Sequence, residues 1–378
     1  MHISFWEKES FYNHKQVIII GAGLAGLWSA LELRKLDSTL NIFLLDKGVI
    51  PQGASTRNAG FACFGSPTEL LHDAEIWGED EMWGIVEMRY KGLEKIKAHF
   101  KADAIDFENC GGYELLDETF GYTPEALDEK LAWLNKGLEK ITGEKQTYTR
   151  ADDKINQFKF NSFKHIIENK LEGSLHSGKF VQALTKKVLS LGIEIISSVE
   201  VTGWAKQNDV IKVYTNNAPK LTCDKLLICN NGFAASLNKN INITPGRGQV
   251  IVTSPITNLP FKGTFHFDEG FYYFRNLGNR VLIGGARNKA FEQETSTDME
   301  VTDVIQKELE LFLQEKILSG QTYTIDYRWS GIMGFTETKL PMLKEAEPGV
   351  FALIACNGMG VALTPIMAEK AAALILNQ

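Results

Sequence analysis

The fold of this chain is decided by residues 17–26, which read VIIIGAGLAG and join an apolar run to a cluster of glycines. The β-branched run at residues 17–20 is typical of a parallel strand that is buried on both faces. Residues 24–36 follow with apolar side chains at helical spacing, and a second apolar run at residues 41–45 ends at Asp46. The pattern therefore predicts a strand, a glycine turn, a helix and a second strand, in the order of a βαβ unit.

Each glycine of this turn has a function in binding an adenine dinucleotide. Gly21 permits a tight exit from the strand, Gly23 lets the backbone approach a pyrophosphate, and Gly26 allows close packing of the helix on the strand. The start of the helix presents free N–H groups and a positive dipole end to the phosphates. Asp46 lies twenty residues beyond Gly26, where it can accept hydrogen bonds from the ribose hydroxyls. Both NAD and FAD fit this first motif.

Two further segments favour FAD. Residues 53–61, GASTRNAGF, form a small-residue loop whose single arginine, Arg57, would place a fixed charge beside the flavin or its diphosphate. A plain surface loop is the alternative for this segment. Near the C-terminus, the apolar run at residues 350–355 leads into NGMGV at 357–361 and then into a helix. A helix N-terminus there would stabilise negative charge on a reduced flavin, which NAD chemistry does not require.

With these segments in place, the chain resembles the D-amino-acid oxidase superfamily of glutathione-reductase-type flavoproteins, which includes glycine oxidase, sarcosine oxidase and gamma-glutamylputrescine oxidase. Residues 179–201 are similar to the helix-then-strand unit of that family, residues 231–232 to a turn after a buried strand, and residues 245–249 to the start of its substrate sheet. The resemblance implies an α/β fold. It implies a Rossmann-like glutathione-reductase-type FAD domain, discontinuous in sequence, with an inserted α+β substrate domain built on an antiparallel sheet.

The motifs and the resemblance together assign FAD, bound non-covalently, to a set of contact residues. In this set Val201 is the residue whose backbone would meet the adenine. The predicted FAD contacts are Gly21, Gly23, Leu24, Ala25, Gly26, Asp46, Lys47, Ser55, Thr56, Arg57, Asn58, Val201, Gly232, Gly331, Gly358, Met359, Gly360 and Val361.

The segments also suggest domain boundaries. We expect residues 1–77, 173–243 and 329–378 to form the FAD-binding domain, and residues 78–172 and 244–328 to form the substrate-binding domain. In the first insertion, a helix is predicted to start at Pro124. In the second, strands at residues 271–275 and 280–284 flank a turn at 276–279, which predicts a hairpin.

Five residues are candidates for the substrate pocket: Tyr273, Arg275, Phe61, Trp329 and Met333. By strand alternation Tyr273 and Arg275 share one face of the hairpin, where they would hydrogen-bond a carboxylate or form an ordinary cross-strand pair. Phe61 and Trp329 would pack around the flavin or fill the core. No residue is assigned as catalytic with certainty, because hydride transfer from a neutral amine needs no dedicated base.

Departures from the family pattern bear on the substrate. Amino-acid-oxidising relatives often carry a carboxylate-binding arginine two residues after a glycine that matches Gly331, and this chain has Met333 there. The methionine disfavours a simple α-amino acid and favours an amine, an N-substituted amine or an amino acid anchored through Arg275. It also implies non-covalent FAD, since sarcosine-oxidase-like members attach the flavin through a cysteine nearby. Leu282 replaces their oxygen-activating lysine, so oxidase and dehydrogenase chemistry both remain open.

A lone histidine, His266, is a candidate proton carrier, although such a residue is more often structural. The formal net charge of −7 and the pI near 5.6 argue against a nucleic-acid partner. The five scattered cysteines suggest neither a disulfide framework nor a metal site. No apolar stretch reaches the length of a membrane span, and no signal peptide is evident, so we expect a cytoplasmic protein.

The leading hypothesis is an FAD-dependent oxidoreductase for an amine, N-substituted amine or amino acid. It would pass a hydride to flavin N5 and give an imine that hydrolyses, with O2 or a carrier as electron acceptor. One alternative is an NAD-dependent dehydrogenase that uses only the first glycine turn. Another is a non-catalytic or regulatory flavin-binding protein of the same fold.

Overall fold

The computed structural model describes residues 2–376 and shows a mixed α/β fold. Met1, Asn377 and Gln378, which belong to the predicted FAD domain, lie outside the described residues. The helices are α1 (Phe5–Ser10), α2 (Leu24–Leu36), α3 (Ala54–Arg57), α4 (Pro67–Trp77), α5 (Glu79–His99), α6 (Ala102–Ile105), α7 (Pro124–Thr142), α8 (Asp153–Phe158), α9 (Ser177–Ser190), α10 (Ala234–Leu237), α11 (Asp303–Phe312) and α12 (Gly360–Leu376).

Within the described residues, eighteen strands accompany these helices. They are β1 (Lys15–Ile20), β2 (Ile42–Leu45), β3 (Phe61–Ala62), β4 (Gly112–Leu116), β5 (Tyr148–Arg150), β6 (His165–Asn169), β7 (Gly173–Ser174), β8 (Glu194–Ile196), β9 (Val201–Gln207), β10 (Val210–Thr215), β11 (Leu221–Ile228), β12 (Thr244–Thr253), β13 (Thr264–Phe267), β14 (Tyr272–Leu277), β15 (Arg280–Gly285), β16 (Ile325–Phe335), β17 (Met342–Glu347) and β18 (Val350–Ile354).

The chain divides into two compact units. Unit 1 contains Met1–Arg57, Gly178–Gly246 and Ile332–Gln378, and unit 2 contains Asn58–Ser177 and Arg247–Gly331. Residues 58–77, which the sequence analysis places in the FAD domain, therefore group with unit 2. The other predicted boundaries lie within five residues of these divisions.

Unit 1 is built on a largely parallel sheet with the strand order β17-β18-β11-β1-β2-β8. β1 pairs in parallel with both β11 and β2, and β11 pairs in parallel with β18. Residues 17–20 are buried, as expected for a central strand that is covered on both faces. The parallel arrangement places the carboxyl ends of β1, β2, β11 and β18 along one edge of this sheet, the edge at which ligands bind in open α/β folds.

The second large sheet has the order β16-β12-β15-β14-β13-β4-β6-β5. In unit 2, its β13–β14 and β14–β15 pairs are antiparallel, and the two-residue connection between β14 and β15 is tighter than the four-residue turn predicted. One face carries an aromatic core in which Phe265 stacks on Phe274 with ring centroids 4.6 Å apart. Tyr272 lies on this core face, so Tyr273 and Arg275 occupy the other face, as the alternation predicts.

Helix α7 begins at the predicted residue, Pro124, for an identifiable reason. The Thr123 hydroxyl accepts a hydrogen bond from the backbone N–H of Ala126, which caps the helix N-terminus, and Gly143 ends the helix in a left-handed conformation. Its buried face is formed by leucines at helical spacing, Leu127, Leu131, Leu134 and Leu138.

Unit 2 also contains buried carboxyl groups. Glu172 accepts a 2.8 Å hydrogen bond from the backbone N–H of Phe64, and Glu114 accepts one of 3.0 Å from that of Thr68. Burial raises the pKa of Glu114 to about 7 and that of Glu172 to about 8. Each group therefore holds its proton more tightly in the folded protein than in the unfolded chain.

These raised pKa values predict a stability that falls with pH. The contribution of the two protonated carboxyl groups to the free energy of unfolding is complete below the ordinary carboxyl pKa of 4.5. It is lost as the pH rises through 7 and 8. The variant Glu172→Gln keeps an oxygen for the Phe64 N–H and cannot ionise. It should therefore be more stable than the wild type at pH 9, by on the order of 1–3 kcal/mol.

Urea unfolding, measured at intervals of about one pH unit from pH 5 to pH 9, tests this prediction. Glu87→Gln, at a half-exposed helical position paired with Lys91, is the matched control and should leave the pH slope unchanged. An unaltered slope in Glu172→Gln would show that Glu172 ionises normally in the folded protein.

Candidate cofactor and substrate sites

The glycine turn after β1 is closed by backbone contacts that admit no side chain. A Cβ on Gly26 would lie 1.9 Å from the carbonyl oxygen of Gly21. Gly21 has a φ of +102°, and a Cβ there would lie 2.8 Å from the carbonyl oxygen of Cys229. The helix therefore starts directly against the end of β1, which is the geometry that opens a helix N-terminus to a phosphate group.

Asp46 at the end of β2 is oriented by the same turn. Its Oδ2 accepts a 2.8 Å hydrogen bond from the N–H of Ala22, and its Oδ1 accepts one of 2.9 Å from Gly48. Burial raises the pKa of Asp46, and these two donors oppose the rise. Each carboxylate oxygen has a second lone pair, so the group can also accept hydrogen bonds from ribose hydroxyls.

Ser55 supports the first turn of α2. The N-cap residue of the helix, Gly23, has no side chain that could cap it. The Ser55 Oγ instead accepts a 2.9 Å hydrogen bond from the backbone N–H of Leu24. A Cβ on Gly23 would lie 2.7 Å from the same oxygen. Part of the predicted small-residue loop thus packs directly on the glycine turn.

The second glycine segment forms a second helix N-terminus in unit 1. Asn357 and Gly358 have positive φ angles, and α12 begins at Gly360. The Asn231 Oδ1 accepts a 3.0 Å hydrogen bond from the N–H of Ala355, which ties the turn after β11 to the end of β18. The segments at the ends of β1, β2, β11 and β18 are therefore joined by hydrogen bonds or close contacts at one edge of the sheet.

Gly232 and Met333 meet in this region. A Cβ on Gly232 would lie 2.5 Å from the Met333 carbonyl oxygen, so a close backbone approach accounts for this glycine. The Met333 Sδ lies 3.9 Å from the position of a Cβ on Gly358. Met333 therefore lies beside the second glycine turn, and its side chain brings no charge to that turn.

Other predicted cofactor residues have identifiable partners. The Lys47 ammonium lies 3.7 Å from the centroid of the Phe233 ring, and the Thr56 hydroxyl donates to the Pro51 carbonyl. Val201 is buried at the start of β9. Arg57 ends α3. Their contacts with FAD stay predictions.

Asn58 and Gly331, also predicted to contact FAD, belong to unit 2. There the Asn58 Oδ1 accepts hydrogen bonds from the Gly60 N–H at 2.9 Å and from the Ser177 hydroxyl at 2.7 Å. These hydrogen bonds of Asn58 fix the backbone of the segment that leads to Phe61.

Three aromatic rings come together on the face of the unit 2 sheet that lies opposite its aromatic core. We call this the polar face. Phe61 makes edge-to-face contacts with His266, at a centroid distance of 5.1 Å, and with Tyr273, at 6.0 Å. His266 and Tyr273 are register neighbours on β13 and β14. The Tyr273 ring lies over Gly284 of β15, where a Cβ would be 2.6 Å from the ring. We call Phe61, His266 and Tyr273 the ring cluster.

His266 is the imidazole of the ring cluster, and its role as a proton carrier stays a prediction. Its side chain is buried, with 8% exposure, and its Nε2 has no hydrogen-bond partner. Burial lowers the pKa of His266 to about 4, so the imidazole is neutral at physiological pH. A buried nitrogen without a partner costs on the order of 1–3 kcal/mol.

Arg275 donates hydrogen bonds to backbone carbonyl oxygens. Its Nη1 donates to the carbonyls of Gly60 at 2.8 Å and Leu175 at 2.9 Å, and its Nε donates to that of Asn276 at 3.0 Å. The side chain is 7% exposed, and burial lowers its pKa. Substrate binding by Arg275 stays a prediction, while the structure shows that it fastens the Gly60 segment to the sheet.

Trp329 lies on an apolar part of the sheet. It packs with Ala59 against the buried cluster formed by Val250, Val252 and Leu282. Leu282 thus occupies an apolar setting.

Arg287 was not identified by the sequence analysis. It follows Ala286, whose left-handed φ of 58° ends the β15 hairpin strand, and it is half-buried with its guanidinium 4.2 Å from the Phe291 ring centroid. Its charge acts on Tyr273 and opposes the rise in the pKa of that phenol, which burial raises to about 12. The only sequence signal was an arginine just beyond a predicted strand.

Comparison with known proteins agrees with this geometry. The family model described as FAD dependent oxidoreductase, DAO, matches residues 16–374. The chain belongs to the DAO family. This confirms the resemblance and identifies FAD, rather than NAD, as the cofactor of the oxidoreductase.

The DAO-family relatives cover most of the chain. A probable oxidoreductase OrdL from Haemophilus influenzae is 23% identical, covering 96% of this chain and 83% of that protein. The gamma-glutamylputrescine oxidoreductase of Escherichia coli is also 23% identical, covering 95% and 83%.

Two solved structures show the same fold. The L-proline dehydrogenase of P. horikoshii superposes with a TM-score of 0.77 at 17% identity, covering 97% of this chain and 94% of that one. The glycine oxidase of Geobacillus kaustophilus gives 0.72 at 18% identity, covering 97% and 95%. Within residues 2–376, every helix of the DAO-family chain is too short or too polar to cross a lipid bilayer.

We expect FAD retention to be sensitive to a single methyl group at the glycine turn. Gly26→Ala would force a Cβ against the Gly21 carbonyl, which neither backbone segment can avoid without opening the turn. We expect this variant to lose most of its FAD, measured as the ratio of flavin to protein absorbance after gel filtration.

Gly53→Ala is the matched control, because a Cβ at Gly53 meets nothing within 4 Å and its φ is not positive. It should keep a wild-type flavin content. Full flavin retention by folded Gly26→Ala would contradict the role given to the turn.

Proposed function

We propose that this DAO-family protein oxidises the carbon–nitrogen bond of an amine, passing a hydride from the carbon to N5 of FAD. The resulting imine then hydrolyses to a carbonyl compound. Family membership supports the redox chemistry, and the relatives named as acting on gamma-glutamylputrescine, glycine and L-proline support a nitrogen-containing substrate. The observation that carries the proposal is the neutral ring cluster, which offers an apolar surface with one unpaired hydrogen-bonding nitrogen.

We assign the cofactor to unit 1 as a discontinuous, Rossmann-like domain of the glutathione-reductase type. The glycine turn and α2 would hold the diphosphate, and Asp46 would accept from the ribose hydroxyls. The α12 N-terminus would stabilise negative charge on the flavin ring. When bound, FAD supplies the hydride acceptor, which no side chain can provide.

Unit 2 is proposed to be the substrate domain. Phe61 and Tyr273 would exclude water from the reacting carbon and hold it in one orientation. Neutral His266 adds no positive charge, so the nitrogen can bind uncharged, the form from which a hydride leaves most readily.

Met333 supports non-covalent FAD and a substrate other than a simple α-amino acid. A thioether neither forms the flavin linkage seen in cysteine-linked relatives nor pairs with a carboxylate. The electron acceptor is proposed to be O2 or a carrier, with Leu282 in place of an activating lysine. We further propose a cytoplasmic location.

An anaerobic substrate screen tests this function. The purified holoenzyme is mixed with primary amines, N-methylated amines and D- and L-amino acids, and flavin bleaching is followed. We expect an amine or N-substituted amine to bleach the flavin and glycine and D-alanine to react poorly.

Efficient reduction by glycine would contradict the interpretation of Met333. Flavin that dithionite reduces but no nitrogen compound reduces would indicate a non-catalytic flavoprotein instead.

A further inference from the structure

We propose that Glu172 is a positioning residue of the substrate site, because its protonated carboxyl group holds the chain segment that places Phe61 in the ring cluster. This inference rests on the proposed amine oxidation. It deepens that function by assigning a regulation of the same site, in which ionisation of Glu172 releases the segment. We call residues 61–69, which run from β3 into α4, the clamped segment.

Glu172 holds the start of the clamped segment through its backbone and its side chain. It directly precedes β7, which pairs with β3 so that Ser174 lies opposite Phe61. Its Oε1 accepts the 2.8 Å hydrogen bond from the backbone N–H of Phe64. Arg275 fastens the residue that precedes Phe61, so the Phe61 ring is carried between two fixed points of the backbone.

Other buried polar side chains bond the rest of the clamped segment. The Tyr148 hydroxyl donates a 2.6 Å hydrogen bond to the Gly65 carbonyl. Glu114 accepts hydrogen bonds from the Thr68 N–H, at 3.0 Å, and from the Thr68 hydroxyl. Tyr148, Glu114 and Thr68 are all buried, so water does not compete for these bonds. The segment is therefore attached to unit 2 at several consecutive backbone groups.

The carboxyl group of Glu172 has no free space in the folded unit. On one side it packs on β4, where a Cβ on Gly112 would lie 2.1 Å from its Oε2. On the other side it contacts the clamped segment through the Phe64 N–H. The group can therefore reach water only if the clamped segment moves away from β4.

The charges near Glu172 oppose its ionisation. Burial raises the pKa of Glu172 to about 8, and the negative charges of Glu69 and Glu114 add to the rise, while two backbone N–H groups oppose it. Arg89 already pairs with Glu69 at 2.9 Å, so a charge on Glu172 gains little from that guanidinium. An ionised Glu172 is thus a poorly compensated buried charge, which favours an arrangement that hydrates it.

The other titratable groups at this place do not offset the charge. The titratable and charged side chains around Glu172 are Cys63 and Glu69 of the clamped segment, Arg89 of α5, Glu114 of β4 and Tyr148 of β5. Burial holds the pKa of the thiol and that of the phenol well above their ordinary values, so both stay neutral. Glu114, with a pKa of about 7, ionises before Glu172 and adds a like charge.

Movement of the clamped segment changes the ring cluster. Phe61 then leaves its edge-to-face contacts with His266 and Tyr273. The substrate loses one wall of its site and with it a fixed orientation of the reacting carbon, which lowers the rate of hydride transfer. Protonated Glu172 therefore corresponds to the ordered site, and ionised Glu172 to the loosened one.

The first test is the pH dependence of anaerobic flavin reduction in the holoenzyme, with the most reactive amine of the screen. The measured quantity is the limiting rate of Glu172→Gln divided by that of the wild type, because protonation of the amine affects both proteins alike. The glutamine keeps an oxygen for the Phe64 N–H and cannot ionise. We expect this ratio to rise about tenfold from pH 7 to pH 9, since about one tenth of Glu172 stays protonated one unit above its pKa.

The second test does not depend on amine oxidation. Hydrogen exchange of the holoenzyme, followed by mass spectrometry and corrected for intrinsic exchange rates, compares residues 61–69 at pH 7 and pH 9. Protection of this segment should fall about tenfold in the wild type and stay constant in Glu172→Gln. The hairpin residues 272–277 serve as the internal reference and should keep their protection in both proteins.

Control variants separate ionisation from loss of folding. Glu87→Gln, on α5, should follow the wild type in both tests. Glu172→Leu removes the acceptor for the Phe64 N–H and should lower the limiting rate about tenfold even at pH 7, with FAD still bound. Tyr148→Phe removes the bond to the Gly65 carbonyl alone and should lower both the rate and the protection by a smaller factor. It carries this part of the test if Glu172→Leu fails to fold.

The outcomes distinguish the two proposals. If no amine reduces the wild-type flavin, the proposed function fails, and hydrogen exchange still decides whether Glu172 holds the clamped segment. A rate ratio that does not change with pH would overturn the positioning role, because the segment would then open without affecting the site. A rising ratio with constant protection would overturn it as well, since Glu172 would then act without moving the segment.

Discussion

The approach of Gly26 to the Gly21 carbonyl is the constraint on which unit 1 depends. Because the helix starts in contact with the strand end, the Ala22 N–H is directed at Asp46 and the Leu24 N–H at Ser55. A methyl group at this contact would separate α2 from β1 and displace both hydrogen bonds. The predicted cofactor site is therefore defined by backbone positions, and side chains such as Asp46 and Ser55 are oriented by them.

In unit 2 a buried guanidinium has the equivalent organising role. Arg275 joins the sheet to the Gly60 and Leu175 carbonyls, and Asn58 closes the same segment through Ser177. The position of Phe61 on the polar face follows from this attachment, and so does its contact with His266. Replacing a fully bonded buried arginine leaves several acceptors unpaired, which makes such a residue a poor choice for exchangeable ligand contacts.

The local patterns of the sequence predict the βαβ unit, α7 and the hairpin because their determinants lie within a few residues of one another. The hydrogen-bond partners of Arg275 lie far from it in the sequence, since Gly60 is 215 residues away and Leu175 is 100 residues away. Strand alternation places Tyr273 and Arg275 on one face but cannot show which donors are already bonded. Arg287 was missed for the same reason, because its setting depends on where Phe291 and Tyr273 fold.

The two units differ in how specific their chemistry is. The glycine turn and Asp46 of unit 1 offer backbone N–H groups and one carboxylate, which are the groups that the proposed binding of FAD requires. In the proposed function the ring cluster of unit 2 would select the substrate, since a neutral imidazole beside a phenol discriminates by charge and by hydrogen-bond direction.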